Sequence, residues 1–231
     1  MKKNFTLKSI FTLLVLFCYV NSYAQERTCG MLDYMEQQMQ NPEFAKEYEK
    51  SQAKFKLKLK ALLSEENFSQ RGGSIIEIPV AVHFPDANEA DRDCLEALAQ
   101  NQIDILNADY TATNADVSLW NSAMSFYPGT NLGVANISFC LAVSNHPVGL
   151  DPELVEGEPC VTIGYNFGGG NNTDINWAGY MNFSVRSLTG GVLGFSPLGG
   201  SIAAGQAVTI DDNAFASGAG CSGSGVVPSF P

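Results

Sequence analysis

The sequence contains few of the residues that a hydrolytic site requires. Its 231 residues include two histidines, His83 and His146, and neither belongs to a His-Glu-x-x-His motif. No complete zinc site is therefore present, and no Gly-x-Ser-x-Gly elbow followed by a histidine indicates a serine hydrolase. His83 lies within a strand pattern and is predicted to be a hydrogen-bonded structural residue. His146 precedes a proline and is predicted to lie on the surface.

Basic residues are scarce after Lys60, which is the last lysine of the chain. From Gly72 onward, Arg92 and Arg186 stand against sixteen acidic residues, a net charge of 2 − 16 = −14. A surface of this charge repels nucleic acid and anionic membranes, so a nucleic-acid partner is excluded. The acidity also has a simpler explanation, since a net charge far from zero keeps a protein soluble.

The N-terminal apolar run is too short to span a bilayer comfortably. It extends from Ile10 to Val20, follows three lysines and ends near small residues that precede Gln25. A membrane anchor needs roughly 18–20 apolar residues, so the pattern favours a secretory signal peptide over residues 1–24. We therefore expect a secreted, extracellular protein with no membrane association after signal cleavage.

The cysteines follow no zinc-ribbon or Cys-x-x-Cys spacing. Export permits disulfides, and removal of the signal peptide leaves an odd number of cysteines, so at least one thiol stays unpaired. The sequence does not determine the pairing. The five remaining residues are Cys29, Cys94, Cys140, Cys160 and Cys221.

Residues 25–73 are predicted to form a helical prosegment that contains Cys29. Apolar residues recur at spacings of three, four or seven between Phe44 and Leu62, and Asn41-Pro42 is a helix start signal. The alternation of lysine and apolar residues from Lys54 to Lys60 also fits a strand. The polar stretch that ends at Arg71-Gly72-Gly73 is predicted to be an exposed joint that proteases can reach.

Residues 74–231 are predicted to form an α/β domain with one mixed sheet. The pattern predicts a first strand over 75–84, a helix over about 89–108 and a strand over 134–143, followed by a long loop over 146–174. Short strands are expected at 181–188, 191–196 and 206–210. Asp211-Asp212-Asn213 offers oxygen ligands and keeps calcium as a candidate cofactor, although three polar residues after a strand commonly form a turn.

Several segments, in this order, resemble the pappalysin-like (cytophagalysin) family of secreted metzincin zinc metalloproteases. They are RTCG at 27–30, IPVAVHF at 78–84, AQNQIDILNADYTATNAD at 99–116, ANISFCLA at 135–142, YMNFSVRSLTGGVLGFSPLGG at 180–200 and AVTIDDNAFAS at 207–217. The resemblance implies a metzincin-like upper catalytic subdomain with a twisted mixed β-sheet and backing helices, preceded by the prosegment.

The resemblance also implies a zinc cofactor whose ligands these residues do not supply. In the family, the HExxHxxGxxH helix follows the last matching segment, and the sequence ends at Pro231 before any such motif. The expectation is an incomplete catalytic domain over 74–231, inactive as it stands, with no catalytic or metal-binding residue to assign.

Two roles carry over onto matching positions. Arg27 and Cys29 resemble a cysteine switch, in which the thiolate occupies the open zinc position until the prosegment is cleaved. The alternative for Cys29 is an ordinary disulfide. The residues Gly191, Val192, Leu193, Gly194 and Phe195 are implied to be the edge strand that pairs with an extended peptide substrate. Alternatively, the apolar side chains of that segment are simply core residues. Activation cleavage is expected near Arg71.

The expected partners are peptide or protein substrates. A competing hypothesis from another class is a degenerate secreted module that binds peptides through its edge strand, or inhibits another protease through Cys29, without catalysis. A plain secreted structural domain is a third alternative.

Overall fold

A computed structural model describes residues 28–64, 75–130, 132–133, 135–197 and 202–229. Within these residues, no helix combines the length and the apolar character needed to cross a membrane. The strands and α-helices, in chain order, are β1 (Thr28–Cys29), α1 (Met31–Met39), α2 (Pro42–Ser64), β2 (Ile76–Phe84), α3 (Arg92–Tyr110), α4 (Val117–Ala123), β3 (Ile137–Leu141), β4 (Val161–Ile163), β5 (Met181–Arg186), β6 (Val192–Phe195) and β7 (Ala207–Asp211).

The strands form one mixed sheet, which confirms the predicted α/β fold. The order is β1-β6-β7-β5-β2-β3, and β4 also pairs with β2. Every pairing is parallel except that between β6 and β7. Pairing between β2 and β5 begins at Val80, one residue after Pro79, so the missing N–H of the proline falls outside that ladder.

One face of the sheet packs against α3, as the periodicity of both elements predicts. In α3, Leu95, Leu98 and Ile103 are buried. They belong to one apolar cluster with Val80, Val82 and Phe84 of β2, together with Phe139, Phe183 and Phe215. Alternate residues of a strand point to opposite faces, so the even-numbered residues of β2 face this helix and His83 faces away.

The opposite face of the sheet carries a second, smaller cluster. It contains Phe167, Trp177 and Tyr180 from the segment between β4 and β5, packed with Ala81 and Ala207 of the sheet. The segment runs over the sheet and places a ring of aromatic side chains around His83.

The predicted helical prosegment consists of two helices that separate at Gln40 and Asn41. The side chain of Asn41 accepts hydrogen bonds from the N–H groups of Glu43 and Phe44, at 2.9 and 3.4 Å. The predicted cap is therefore confirmed. The stretch from Lys54 to Lys60 is helical, so the strand alternative was wrong.

Two further parts of the chain are more ordered than their sequence predicts. The predicted loop over 146–174 contains β4, whose three residues are too few for a periodic pattern. The Gly/Ser-rich tail folds back through a bridge between Cys221 and Val226, both of which are buried in the cluster beneath α3. A disulfide between Cys94 and Cys221 fastens this tail to the first turn of α3.

We expect removal of this disulfide to destabilise the domain substantially. The bond closes a segment with a sequence separation of 127 residues, and loops of that length restrict the unfolded chain most. The double variant Cys94→Ala/Cys221→Ala should lose about 2–5 kcal/mol of unfolding free energy, measured by urea denaturation. Cys140→Ala removes a free thiol instead and serves as the matched control. Equal denaturation midpoints for the double variant and the parent chain would contradict the expectation.

Candidate functional site

The candidate site is the outer edge of β6, near one end of the sheet. On its inner side β6 pairs antiparallel with β7, where Gly194 lies opposite Ile210 and Phe195 opposite Thr209. On its outer side, β6 pairs with β1, the first strand of the described chain. The predicted edge segment is therefore covered along its outer edge by the start of the predicted prosegment.

The contact between β1 and β6 is a main-chain contact. The strands run parallel, with Cys29 opposite Gly194, and the N–H of Gly30 donates to the carbonyl of Gly194 at 3.0 Å. A Cβ atom at Gly30 would lie 2.7 Å from Cγ1 of Val192. A larger residue at this position would therefore force the side chain of Val192 or the chain of β1 to move.

The thiol of Cys29 is exposed and free. The disulfide alternative for Cys29 therefore does not occur in this structure, in which Cys94 pairs with Cys221. Cys140 and Cys160 are also free. Burial raises the pKa of the Cys160 thiol to about 12, so that thiol stays protonated.

Helix α1 adds a side-chain contact to the main-chain pairing. The ring of Tyr34 stacks on that of Phe195, with the centroids 4.9 Å apart. The side-chain amide of Asn172 donates to the hydroxyl of Tyr34 at 2.7 Å. Sequence reasoning missed Tyr34 and Asn172, because a contact across 138 residues leaves no local pattern in a single sequence.

A network around Asp174 holds the segment that carries Asn172. The carboxylate of Asp174 accepts hydrogen bonds from the hydroxyl of Tyr165 at 2.6 Å and the N–H of Gly168 at 3.1 Å. Burial alone would raise the pKa of Asp174, but these bonds and those from Asn176 lower it below its ordinary value. The carboxylate therefore stays ionised and continues to order the loop.

His83 lies beneath this loop and has a structural role. Its ring nitrogens contact the hydroxyl of Thr162 at 2.9 Å and the amide oxygen of Asn182 at 3.2 Å. The rings of Phe167 and Trp177 each lie 4.4 Å from it, centroid to centroid. Burial lowers the pKa of His83 to about 4, which keeps the imidazole neutral.

The prediction that His146 lies on the surface was wrong. The residue is buried, and its Nε2 contacts the carbonyl oxygen of Glu158 at 2.9 Å. The carboxylate of Glu156 also accepts a hydrogen bond from the N–H of His146 at 2.6 Å. The predicted surface loop instead folds back on itself through these bonds, and the histidine is enclosed within it.

The residues present do not fit a zinc site. Among the described residues, no group of three or more His, Cys, Asp or Glu side chains could hold a metal ion. Asp211, part of the calcium candidate, accepts hydrogen bonds from the N–H groups of Leu188 and Asn213 at 2.8 and 3.1 Å. Its carboxylate thus forms the turn after β7. The predicted signal peptide, Arg27 and Arg71 lie outside the described residues.

Comparison with solved structures identifies similar proteins. A promirolysin variant from Tannerella forsythia is 26% identical, with a TM-score of 0.55, over 82% of this chain and 61% of that chain. Mature mirolysin from the same organism, in complex with a cleaved peptide, is 26% identical over 62% of this chain and 55% of that chain, with a TM-score of 0.45. Mirolysin in complex with compound 9 gives a TM-score of 0.43 at the same identity and coverage. No family model and no curated protein sequence matches the chain.

The likeness to promirolysin supports a metalloprotease-like fold, which the resemblance in sequence implied. It does not single out the pappalysin-like family. The chain spans about three fifths of the length of the promirolysin structure, with 61% of that structure covered.

We expect the burial of His83 to make the protein less stable in mild acid. Unfolded chains bind a proton at this histidine below pH 6.5, but the folded protein does so only near pH 4, so unfolding free energy falls as the pH drops between these values. The loss attributable to His83 is about 3 kcal/mol. His83→Gln should be less stable than the parent at pH 7 but lose less on acidification. Urea denaturation at pH 7, 5.5 and 4.5 measures this, and parallel pH profiles of the two proteins would contradict it.

Proposed function

We propose that this chain is the N-terminal part of the precursor of a secreted, pappalysin-like zinc metalloendopeptidase, held latent by its own prosegment. The observation that carries the proposal is the pairing of residues 28–30 along the outer edge of β6. This edge is the segment that the family resemblance implies for substrate binding, and the segment that covers it contains Cys29.

Occupation of the edge explains how a prosegment excludes substrates of many sequences. An extended peptide that adds to a sheet is held by main-chain hydrogen bonds, whatever its side chains. The carbonyl of Gly194 already accepts the N–H of Gly30. A peptide that uses the same edge must first displace β1, so latency does not depend on substrate sequence.

The position of Cys29 suits a second means of latency. Its thiol is exposed, free and opposite Gly194 on β6. In a complete protease, Cys29 would be a candidate zinc ligand, with Arg27 beside it, and the three histidine ligands would come from residues beyond these 231. As it stands, the chain is expected to hydrolyse no peptide.

The disulfide supports the secretory part of the proposal. Bonds such as that between Cys94 and Cys221 persist in oxidising compartments and are rare in the cytosol. The predicted signal peptide at 1–24 provides the route, and the acidic composition after Gly72 disfavours nucleic-acid and anionic membrane partners.

A specific observation favours a second candidate, a non-catalytic module that binds peptides or inhibits a protease. Both histidines are engaged within the fold: His83 through Thr162 and Asn182, and His146 through Glu158. If the protein is complete at Pro231, it would bind a partner through the edge of β6 or the thiol of Cys29. The coding sequence after codon 231 distinguishes the two, because HExxHxxGxxH within a few dozen codons supports the protease precursor.

We expect Cys29→Ala to weaken latency in the product of that longer reading frame. Loss of the thiol removes its contribution to inhibition, so the uncleaved variant should cleave a fluorogenic peptide at least about tenfold faster than the uncleaved parent. Cys140→Ala, which removes another free thiol, is the control and should remain latent. If uncleaved Cys29→Ala cleaves the peptide no faster than the uncleaved parent while the processed enzyme is active, Cys29 is not the latency switch.

We expect activation to cut the chain close to Arg71. This residue lies between the last turn of α2 and the start of β2, in a polar segment predicted to be accessible to proteases. N-terminal sequencing of the secreted, processed protein should therefore give a sequence that starts near Gly72. The variant Arg71→Gln should be processed more slowly by a trypsin-like protease. A mature N-terminus within α2 or inside the domain would refute this position.

A further inference from the structure

Phe195 and Asn172 together form a seat for an aromatic side chain beside the edge of β6. In this structure the seat, defined as the ring of Phe195 and the side-chain amide of Asn172, holds Tyr34. The two rings stack with an interplanar angle of 20°, and the amide donates to the tyrosine hydroxyl at 2.7 Å. One wall is therefore apolar, and one hydrogen-bond donor lies where the hydroxyl of a tyrosine ends.

The seat is built by the domain and not by the prosegment. The backbone of Phe195 is fixed by its pairing with Thr209 of β7. The carbonyl of Asn172 accepts the N–H of Ala207 at 2.9 Å, and the next residue, Thr173, forms a bridge with Gln206. Both walls are thus anchored to β7, so their arrangement does not require Tyr34.

Main-chain pairing and side-chain contact also have different consequences at this edge. The pairing of β1 with β6 is indifferent to sequence, whereas the seat distinguishes a tyrosine from a small or aliphatic side chain. Because Phe195 immediately follows Gly194, which lies opposite Cys29, a peptide that replaces β1 passes next to the seat.

We propose that the seat is a side-chain subsite for peptide substrates, selective for aromatic residues and best filled by tyrosine, and that Tyr34 mimics the substrate there in the latent form. This inference rests on the proposed function, since it requires that peptides pair with β6. Release of the prosegment then uncovers the edge and the subsite together. Stacking supplies affinity for any aromatic side chain, and the amide of Asn172 adds preference for one with a hydroxyl.

The test requires a chain in which the edge is open and the subsite is intact. In Gly30→Val, the new side chain collides with Val192, because even a Cβ atom would lie 2.7 Å from Cγ1. This substitution should displace β1, and it changes neither residue of the seat, although Cδ1 of Phe195 also lies 3.7 Å from that Cβ position. The probes are acetylated serine–alanine hexapeptides with tyrosine at each position in turn, and the same peptides with phenylalanine or alanine at that position. Binding to the ¹⁵N-labelled chain is followed by NMR shifts of the amides of residues 172 and 192–195.

One register of the tyrosine peptide should bind Gly30→Val about tenfold more tightly than its alanine counterpart, with phenylalanine between them. Adding Asn172→Ala should abolish the difference between tyrosine and phenylalanine. Adding Phe195→Ala should abolish the difference between either aromatic peptide and alanine. Phe126→Ala, at a phenylalanine that is 78% exposed, is the matched control and should change neither.

The outcomes separate the subsite from the function on which it rests. If tyrosine and alanine peptides bind the edge equally in every register, the subsite is refuted and the edge-binding function stands. If no peptide binds, both are refuted. Should Gly30→Val fail to fold by circular dichroism, the same titration on Gly30→Ala/Tyr34→Ala decides between these results, because the Cβ atom of residue 30 still meets Cγ1 of Val192 and the seat is vacated.

Discussion

The outer edge of β6 is the constraint on which the arrangement of this protein depends. A strand at the edge of a sheet exposes N–H and C=O groups that readily pair with another chain. Here β1 covers that edge and the carbonyl of Gly194 receives the N–H of Gly30. An edge kept open for peptides is also an edge open to aggregation. Pairing with β1 therefore keeps this edge from pairing with other chains.

The buried, neutral His83 supports the part of the candidate site that carries Asn172. His83 links β4 and β5 through Thr162 and Asn182, and Phe167 and Trp177 pack around it. This aromatic cluster anchors the segment between β4 and β5. Hydrogen bonds to Asp174 order the same segment, which also pairs with β7. The orientation of Asn172 thus depends on a core that lies on the face of the sheet away from α3. His83 thus helps to hold the loop that reaches the outer edge of β6.

Local patterns predicted those parts of the fold that depend on local physics. The alternation in β2, the apolar face of α3 and the cap at Asn41 all follow from periodicities or from hydrogen bonds between residues close in sequence. The predicted α/β sheet followed from the same patterns. The pairing of Cys94 with Cys221, the burial of His146 and the stacking of Tyr34 on Phe195 did not, because each joins residues that only the folded chain brings together. For β4, three residues left too short a pattern to detect.

The candidate site could likewise be predicted only in part. Resemblance in sequence placed a latency cysteine and an edge strand in the chain, and the structure brings the two segments side by side. It could not indicate Asn172, which occurs in a glycine-rich stretch with no motif.

The way the prosegment is attached is consistent with its removal. Neither of the two apolar clusters includes a described residue from 28 to 64. In α2, Phe55 and Leu57 are 60% and 71% exposed, and no described side chain of that helix belongs to either cluster. The described contacts of residues 28–64 with the sheet include a short main-chain ladder, the stacking of Tyr34 on Phe195 and the hydrogen bond from Asn172 to Tyr34. Although Met35 is buried, neither apolar cluster includes a described residue of 28–64, so contacts of this kind can be lost without disturbing either cluster. A segment that had to leave but also filled the core would expose apolar surface on cleavage. Residues 28–30 thus cover the edge of β6 without joining either apolar cluster.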